Sequence, residues 1–228
     1  MRLALMGVDP PGATMPLGRR ERNKQRVRER LYNSAVVLFA EQGYDRTSIG
    51  EIAERADVAR GTFFNYFQRK EDLISAWGER RRAVLEESLA QYASASGPNA
   101  VTQLERCMAT LGRINESEGA LVVPMLTAWV KAGHPLVEEP YVAKTFAQIV
   151  QLGRTQGEFD ATVDSSQVGF ILRDIYLGAL FRWSQTVKGP SSFSLGDELQ
   201  ASLTLLIDGI GANPRAASDE REVPDTPA

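Results

Sequence analysis

The sequence predicts an all-α chain, with a helix-turn-helix near its N-terminus and a larger helical domain after it. Three observations lead there. Apolar residues recur at helical spacing in every long segment, and no alternating strand pattern rises above them. Two short helical segments joined by a three-residue turn lie between longer ones, at residues 48–67. Charge is also divided: residues 1–82 hold 16 Lys/Arg against 11 Asp/Glu, while residues 83–228 hold 10 against 18.

The elements follow in order. Residues 1–18 carry Pro10, Pro11 and Pro16 without periodicity and read as a disordered arm. From Asn23 to Gln42 the residues Val27, Leu31, Ala35, Leu38 and Phe39 share a helical face, and Gly43 supplies the stop. Ser48-Ile49-Gly50-Glu51 has the form of a capping box, in which hydroxyl and carboxylate satisfy free amides at a helix start. A short helix then runs to Ala56, with Ile52, Ala53 and Ala56 as its apolar face. Asp57-Val58-Ala59 reads as a tight turn, Arg60–Phe67 as a second short helix, and Lys70 to about Tyr92 as a long one. Ser94-Ala95-Ser96-Gly97-Pro98 is a break. Further helices are expected at about 99–116, 119–132, 140–156, 165–187 and 195–210, with separators at Gly133-His134-Pro135, Gly157 and Gly189-Pro190. Pro124 is expected to kink the segment that contains it. Residues 211–228 read as a loose tail.

Composition narrows the function classes. Of 228 residues, 43% are hydrophobic and 24% charged, the balance of a globular protein. No apolar run approaches the roughly 18 residues that span a bilayer, so no membrane association is expected and the chain reads as cytoplasmic. Cys107 is the sole cysteine and His134 the sole histidine. No cysteine metal cluster, no cofactor motif and no nucleophile–base constellation surrounds either, so the expectation is a protein that is not an enzyme.

Net charge is only −3, but Arg19, Arg20, Arg22, Lys24, Arg26, Arg28 and Arg30 make a dense basic run ahead of the two short helices. A basic end on an acidic body is the footprint of a phosphate-binding module. Two short helices with a tight turn are the unit that places a second helix in the major groove of double-stranded DNA. That second helix carries Arg60, Thr62, Asn65 and Tyr66, which reach phosphates or base edges. Gly61 leaves the backbone uncovered for phosphate, and Lys70 offers a point charge. An ordinary helical hairpin with a solvated basic face is the alternative.

The residues Leu38-Phe39, Gly43-Tyr44, Thr47-Ser48-Ile49, Glu51-Ile52-Ala53, Ala56, Val58, Arg60-Gly61-Thr62-Phe63, Tyr66-Phe67 and Lys70-Glu71-Asp72-Leu73 resemble the N-terminal domain of TetR-family transcriptional regulators. The likeness covers about residues 24–84. It implies an all-helical homodimer: a disordered arm at 1–18, a three-helix DNA-binding domain at 19–84, a helical ligand-binding and dimerisation domain at 85–210, and a flexible tail at 211–228. By position, Thr47 or Ser48 would touch phosphate. Arg60 and Thr62 would face the groove, Asn65 and Tyr66 would meet bases or backbone, and Lys70 would touch phosphate. Ile52, Ala53, Val58, Phe63 and Phe67 would be core. The chain departs from the family pattern at Phe64, where Tyr is usual, and at Ala59 and Arg69, where a capping Ser is usual.

For the second domain, Val168, Ile171, Leu172, Ile175, Tyr176, Ala179, Leu180 and Trp183 make one apolar surface, and Leu195, Leu199, Leu203, Leu206 and Ile210 another. On pattern alone these are core; the resemblance makes them a four-helix dimer interface. A pocket for a small hydrophobic ligand would draw on Met108, Met125, Trp129, Phe146, Phe170, Tyr176 and Trp183, with Arg113, Asn115, His134 or Arg173 as polar anchors. The implied function is a repressor released from a palindromic operator by that ligand. The alternative is a DNA-binding protein of the same fold without one, either an activator or a regulator controlled by a protein partner.

Overall fold

The computed structural model describes residues 18–90, 99–137, 139–186 and 193–209, and the described residues are helical with no strand. The arm before Gly18, the break at 94–98, Gly189-Pro190, Ile210 and the tail lie outside them. Ten α-helices follow one another: α1 Arg19–Gln42, α2 Ile49–Arg55, α3 Arg60–Phe63, α4 Glu71–Ala90, α5 Ala100–Glu118, α6 Val122–Lys131, α7 His134–Val137, α8 Tyr141–Gln156, α9 Ser165–Thr186 and α10 Leu195–Asp208. None is long and apolar enough to cross a membrane. The chain divides into two compact units, 1–73 and 74–228, with the division falling inside α4.

In the first unit, α1, α2 and α3 close over Leu31, Ala35, Leu38, Phe39, Ile52, Ala53, Phe63 and Phe67, all buried. Phe39 packs on Tyr44 at 5.2 Å between ring centroids and Phe63 on Phe67 at 5.7 Å. Val58, expected in the core, is only half-buried. The first helix begins at Arg19, four residues before the apolar pattern would start it. Arg, Lys, Glu and Gln are good helix formers, so the helix extends through a segment that buries nothing.

In the second unit the closest pairings are α8 with α9 and α5 with α10. Glycines make them possible. A Cβ on Gly112 would lie 2.7 Å from Gly196 Cα, and one on Gly169 would lie 2.4 Å from the Ala143 carbonyl oxygen. At these two crossings backbone meets backbone. Asn99 caps α5 through Thr102 N at 2.8 Å, and the Glu158 carboxylate accepts from Ala100 N at the same helix start.

Two expected breaks resolve differently. Pro124 does not kink a helix: residues 119–121 form a 3-10 turn and α6 starts at Val122. Pro124 therefore lies in the first turn, where its missing N–H has no intrahelical partner to lose. The Gly133-His134-Pro135 separator holds the one-turn helix α7, entered through Gly133 at φ 76°. The expected stripe on α10 also divides. Leu195, Leu199 and Leu203 are core of their own chain, whereas Leu206 is exposed beside Leu205 and Ile207.

Candidate nucleic-acid interface

The interface is built from α2, the turn and α3. Ser48 is the N-cap of α2. Its hydroxyl accepts from Glu51 N at 3.2 Å, and Glu51 accepts from Ser48 N at 2.8 Å, so the expected capping box is complete. These bonds, with one from Gln42, hold the Glu51 carboxyl below its ordinary value. The turn holds Asp57 at φ 52°, a left-handed conformation that Asp tolerates better than most residues. Ala59 is the N-cap of α3 and gives no side-chain bond, as its methyl requires.

α3 is shorter than the expected Arg60–Phe67. Only Arg60–Phe63 is α-helical, and the chain then tightens through Asn65 N to Thr62 O at 3.2 Å and Tyr66 N to Phe63 O at 2.9 Å. A single turn lacks the aligned dipoles that an anion site at a helix start relies on, and Thr62 N is already bonded to Ala59 O. Gly61 is therefore an open spot on the surface rather than a phosphate cradle; a Cβ there would meet nothing within 4 Å. Phe63 and Phe67 anchor the segment in the core. Arg60, Gly61, Phe64 and Asn65 are exposed, and Thr62 and Tyr66 half-exposed. Phe64 stands edge-on to Phe63 at 5.5 Å and leaves 49% of its surface in solvent.

Two expected phosphate contacts and one expected open cap already have partners within the chain. Thr47 is 2% exposed; its hydroxyl donates to Gly43 O at 2.8 Å and accepts from Gln42 at 3.3 Å. It closes the α1–α2 corner, which leaves Ser48 as the exposed hydroxyl there. Lys70 is not an open point charge: its ammonium donates to Tyr44 O at 2.7 Å and Thr47 O at 3.0 Å and lies 4.1 Å from the Tyr44 ring centroid. It ties the start of α4 to the α1–α2 corner. Nor does Arg69 stand at an unfilled cap. The Asp72 carboxylate reaches back to Gln68 N at 2.7 Å and Arg69 N at 3.0 Å. Tyr44 completes this corner by donating to Glu71 at 2.9 Å, and burial, with Glu71 beside it, pushes its hydroxyl pKa well up.

The residues expected around a ligand pocket fall into three groups. Met108, Met125, Phe146, Tyr176 and Trp183 are buried and Trp129 is half-buried. Phe170 is 43% exposed with Arg173 over its ring at 5.1 Å, so it points away from the interior. Asn115 is fully buried and belongs to a network that the sequence did not reveal. Its amide donates to Leu111 O at 2.7 Å and the Tyr176 hydroxyl at 3.1 Å, and it accepts from Arg81 at 2.5 Å. Arg81 also pairs with Glu118, which accepts from Trp77 Nε1 at 3.2 Å. Burial raises the Glu118 carboxyl above its ordinary value, and Arg81 and Trp77 only partly offset this. Cys107 is buried and its thiol is pushed up to about 12, so it is unreactive.

The profile of the bacterial regulatory proteins, tetR family, matches residues 31–77. The HTH-type transcriptional repressor KstR of Mycolicibacterium smegmatis is 25% identical over 182 residues, which is 79% of this chain and 86% of KstR. The HTH-type transcriptional regulator TcmR of Streptomyces glaucescens is 35% identical over 119 residues, 48% of this chain and 50% of TcmR. Among solved structures, Thermus thermophilus FadR, a TetR-family transcriptional repressor in complex with lauroyl-CoA, aligns with a TM-score of 0.63 and 28% identity over 87% of this chain and all of that one. The segment that matches the tetR family of bacterial regulatory proteins, residues 31–77, holds the capped α2, the tight turn and the exposed α3.

Proposed function

We propose that this chain is a DNA-binding transcriptional regulator of the cytoplasm, a homodimeric repressor that a hydrophobic small molecule releases from a palindromic operator. The observation that carries DNA binding is the face of α3 and its following turn. Phe63 and Phe67 lock it to the core while Arg60, Phe64 and Asn65 stand in solvent beside the exposed cap Ser48. Arg60 has the donor fork for a guanine edge and Asn65 the donor–acceptor pair for adenine; Phe64 supplies apolar contact for a thymine methyl. Ser48 and Tyr66 supply hydroxyls for phosphate, which fix position without reading sequence.

Dimerisation is supported by apolar surface that one chain leaves uncovered. On α9, Ile171 and Phe181 are exposed. On α10, the consecutive Leu205, Leu206 and Ile207 are exposed, Leu205 by 57%. A twofold pair would present two α3 segments to an inverted repeat. The ligand reading rests on the aromatic and methionine-rich interior around Met108, Met125, Phe146, Tyr176 and Trp183, and on the acyl thioester bound by the Thermus relative. A long-chain acyl thioester is therefore the ligand to try first.

The test begins with duplex DNA selected from a random pool by the full chain. The complex is then titrated with acyl-CoA of increasing chain length and with free CoA. Release by the long-chain thioesters and not by CoA is expected. Retention of DNA at saturating thioester overturns the acyl-thioester reading and leaves DNA binding to stand on the selection itself.

A further inference from the structure

Around α2 and α3, the polar side chains of Thr47, Ser48, Glu51 and Lys70 bond within the chain. Arg60 and Asn65 differ. Both are exposed, and among the described residues neither side chain has a bond within the chain. Beside them stands Phe64. Among the described residues it is the only large apolar side chain of the first unit that is exposed. Its exposure is built in. The Phe64 backbone is right-handed helical at φ −69° and ψ −11°, and its ring stands edge-on to Phe63, which is fully buried. A core residue therefore backs the exposed ring.

Long side chains on a helix lean towards its N-terminus, over the residues three and four positions back. For Phe64 these are Gly61 and Arg60. Gly61 has no side chain, and a Cβ there would meet nothing within 4 Å, so nothing covers the surface on that side. Arg60, four positions back, is the neighbour on the same face, with Cβ atoms about 5–6 Å apart. A guanidinium and an uncovered phenyl ring thus stand side by side on one exposed turn.

A phenyl ring leaves the donors and acceptors of a polar base edge unmatched. The apolar group that bases present in the major groove is the C5 methyl of thymine. Cytosine methylated at C5 carries the same group at the same place. A phenyl ring detects that methyl and has no means of reading C4, which bears a carbonyl in one base and an amine in the other. The fork of Arg60 matches O6 and N7 of guanine. Residues about one helical turn apart on a groove-facing helix reach adjacent base pairs.

We propose that Arg60 and Phe64 form one reader for a C5-methylated pyrimidine next to guanine, and that it accepts thymine and 5-methylcytosine alike. This rests on the DNA-binding reading above and adds to it the chemical group recognised. A CG step at this place in the operator would gain affinity when its cytosine is methylated.

The experiment uses the full chain and the duplex it selects from a random pool. At the base pairs flanking the guanine whose preference Arg60→Ala removes, the pyrimidine is made thymine, uracil, cytosine or 5-methylcytosine in turn. The change is made in both half-sites, with the matching base opposite. Thymine against uracil and 5-methylcytosine against cytosine each differ by one methyl alone, so the opposite base cancels from each ratio. Burying one methyl is worth about fourfold in affinity per half-site and about fifteenfold over two. Both ratios should reach that size at one flanking pair. Both should fall to one in Phe64→Ala and persist in Phe64→Leu, which keeps an apolar contact; melting of the two variants checks their fold, and the wild-type ratios need neither. Wild-type ratios near one, a methyl effect in only one of the two ratios, or a methyl effect that survives in Phe64→Ala overturns the reader. Each of these leaves the guanine preference of Arg60, and with it the DNA-binding reading, intact. A wild-type chain that selects no duplex defeats that reading itself.

Discussion

Around α2 the capping bonds of the N-terminal unit close over short stretches of chain, Ser48 with Glu51, Thr47 with Gly43 and Gln42, Asp72 with Gln68 and Arg69. Lys70 and Glu71 reach Tyr44 and Thr47 across 23 to 27 positions. In the second unit the comparable bonds reach from Arg81 to Glu118 and Asn115, and from Asn115 to Tyr176, across 34 to 61 positions. The glycines differ in the same way. Gly50 and Gly61 have room for a side chain, whereas Gly112 and Gly169 sit where two helix backbones touch. The first unit is held by local caps and by one longer corner, Lys70 and Glu71 on Tyr44 and Thr47, over a small aromatic core, and keeps Arg60, Phe64 and Asn65 outside. The second is held by close crossings and puts charge inside. A surface that reads DNA needs exposed groups on a rigid local frame; an interior that takes a ligand needs polar groups whose partners come from several helices.

That contrast can be broken at either end. The largest effect is expected from Gly169→Ala. Its methyl would meet the Ala143 carbonyl at 2.4 Å, and overpacking at such a contact costs about 1–3 kcal/mol. The counterpart Gly50→Ala has only Ser48 Oγ near, at 3.7 Å, and should gain up to about 1 kcal/mol of helix propensity. Urea unfolding of the two variants should move in opposite directions; a neutral Gly169→Ala would refute the close crossing of α8 and α9.

Next comes Asn115→Ala, which strips a partner from both Arg81 and the Tyr176 hydroxyl. The Tyr176 hydroxyl oxygen loses its donor, at a cost of about 1–3 kcal/mol, while Arg81 keeps Glu118. Thermal melting should show a loss clearly larger than that of Ser48→Ala, which removes one cap worth about 1 kcal/mol. Ala59→Ser should return a similar amount at the start of α3, and an unchanged melting temperature would place the cap elsewhere.

The smallest effect concerns pH. Burial raises the Glu118 carboxyl above its ordinary value of 4.5, so the folded chain holds that proton more tightly than the unfolded chain does. The contribution from this group is therefore greatest at acid pH and declines as pH rises from 4.5 towards the raised value. Glu118→Gln should remove this decline, seen as a flatter stability profile in that window; an unaltered profile would show that the carboxyl is not strained by burial.

The same contrast explains what was legible in the sequence. The capping box at Ser48, the turn at 57–59 and helices α5, α8, α9 and α10 are encoded within a few residues or by apolar period, and all appear within two residues of their expected positions. The misjudged features depend on tertiary partners. Thr47 looks like a surface hydroxyl until Gly43 and Gln42 enclose it. Lys70 looks like a phosphate ligand until Tyr44 O and Thr47 O claim its ammonium. Phe170 belongs by period to an apolar helix yet falls on its open side. Asn115 reads from the sequence as a polar anchor for a pocket, but nothing local marks Arg81, Glu118 and Tyr176 as its companions. The start of α1 is not marked by the apolar pattern because periodicity detects burial, and residues 19–22 are exposed.

Base reading by α3 is the central claim for this molecule. The decisive measurement selects duplexes from a random pool with the wild-type chain, Arg60→Ala and Asn65→Ala, and compares base preference position by position. The wild-type chain should enrich an inverted repeat. Each variant should lose preference at one position in each half-site, by about 1–3 kcal/mol of discrimination, while phosphate-driven binding persists. No enriched sequence, or the same preference in all three proteins, would contradict it.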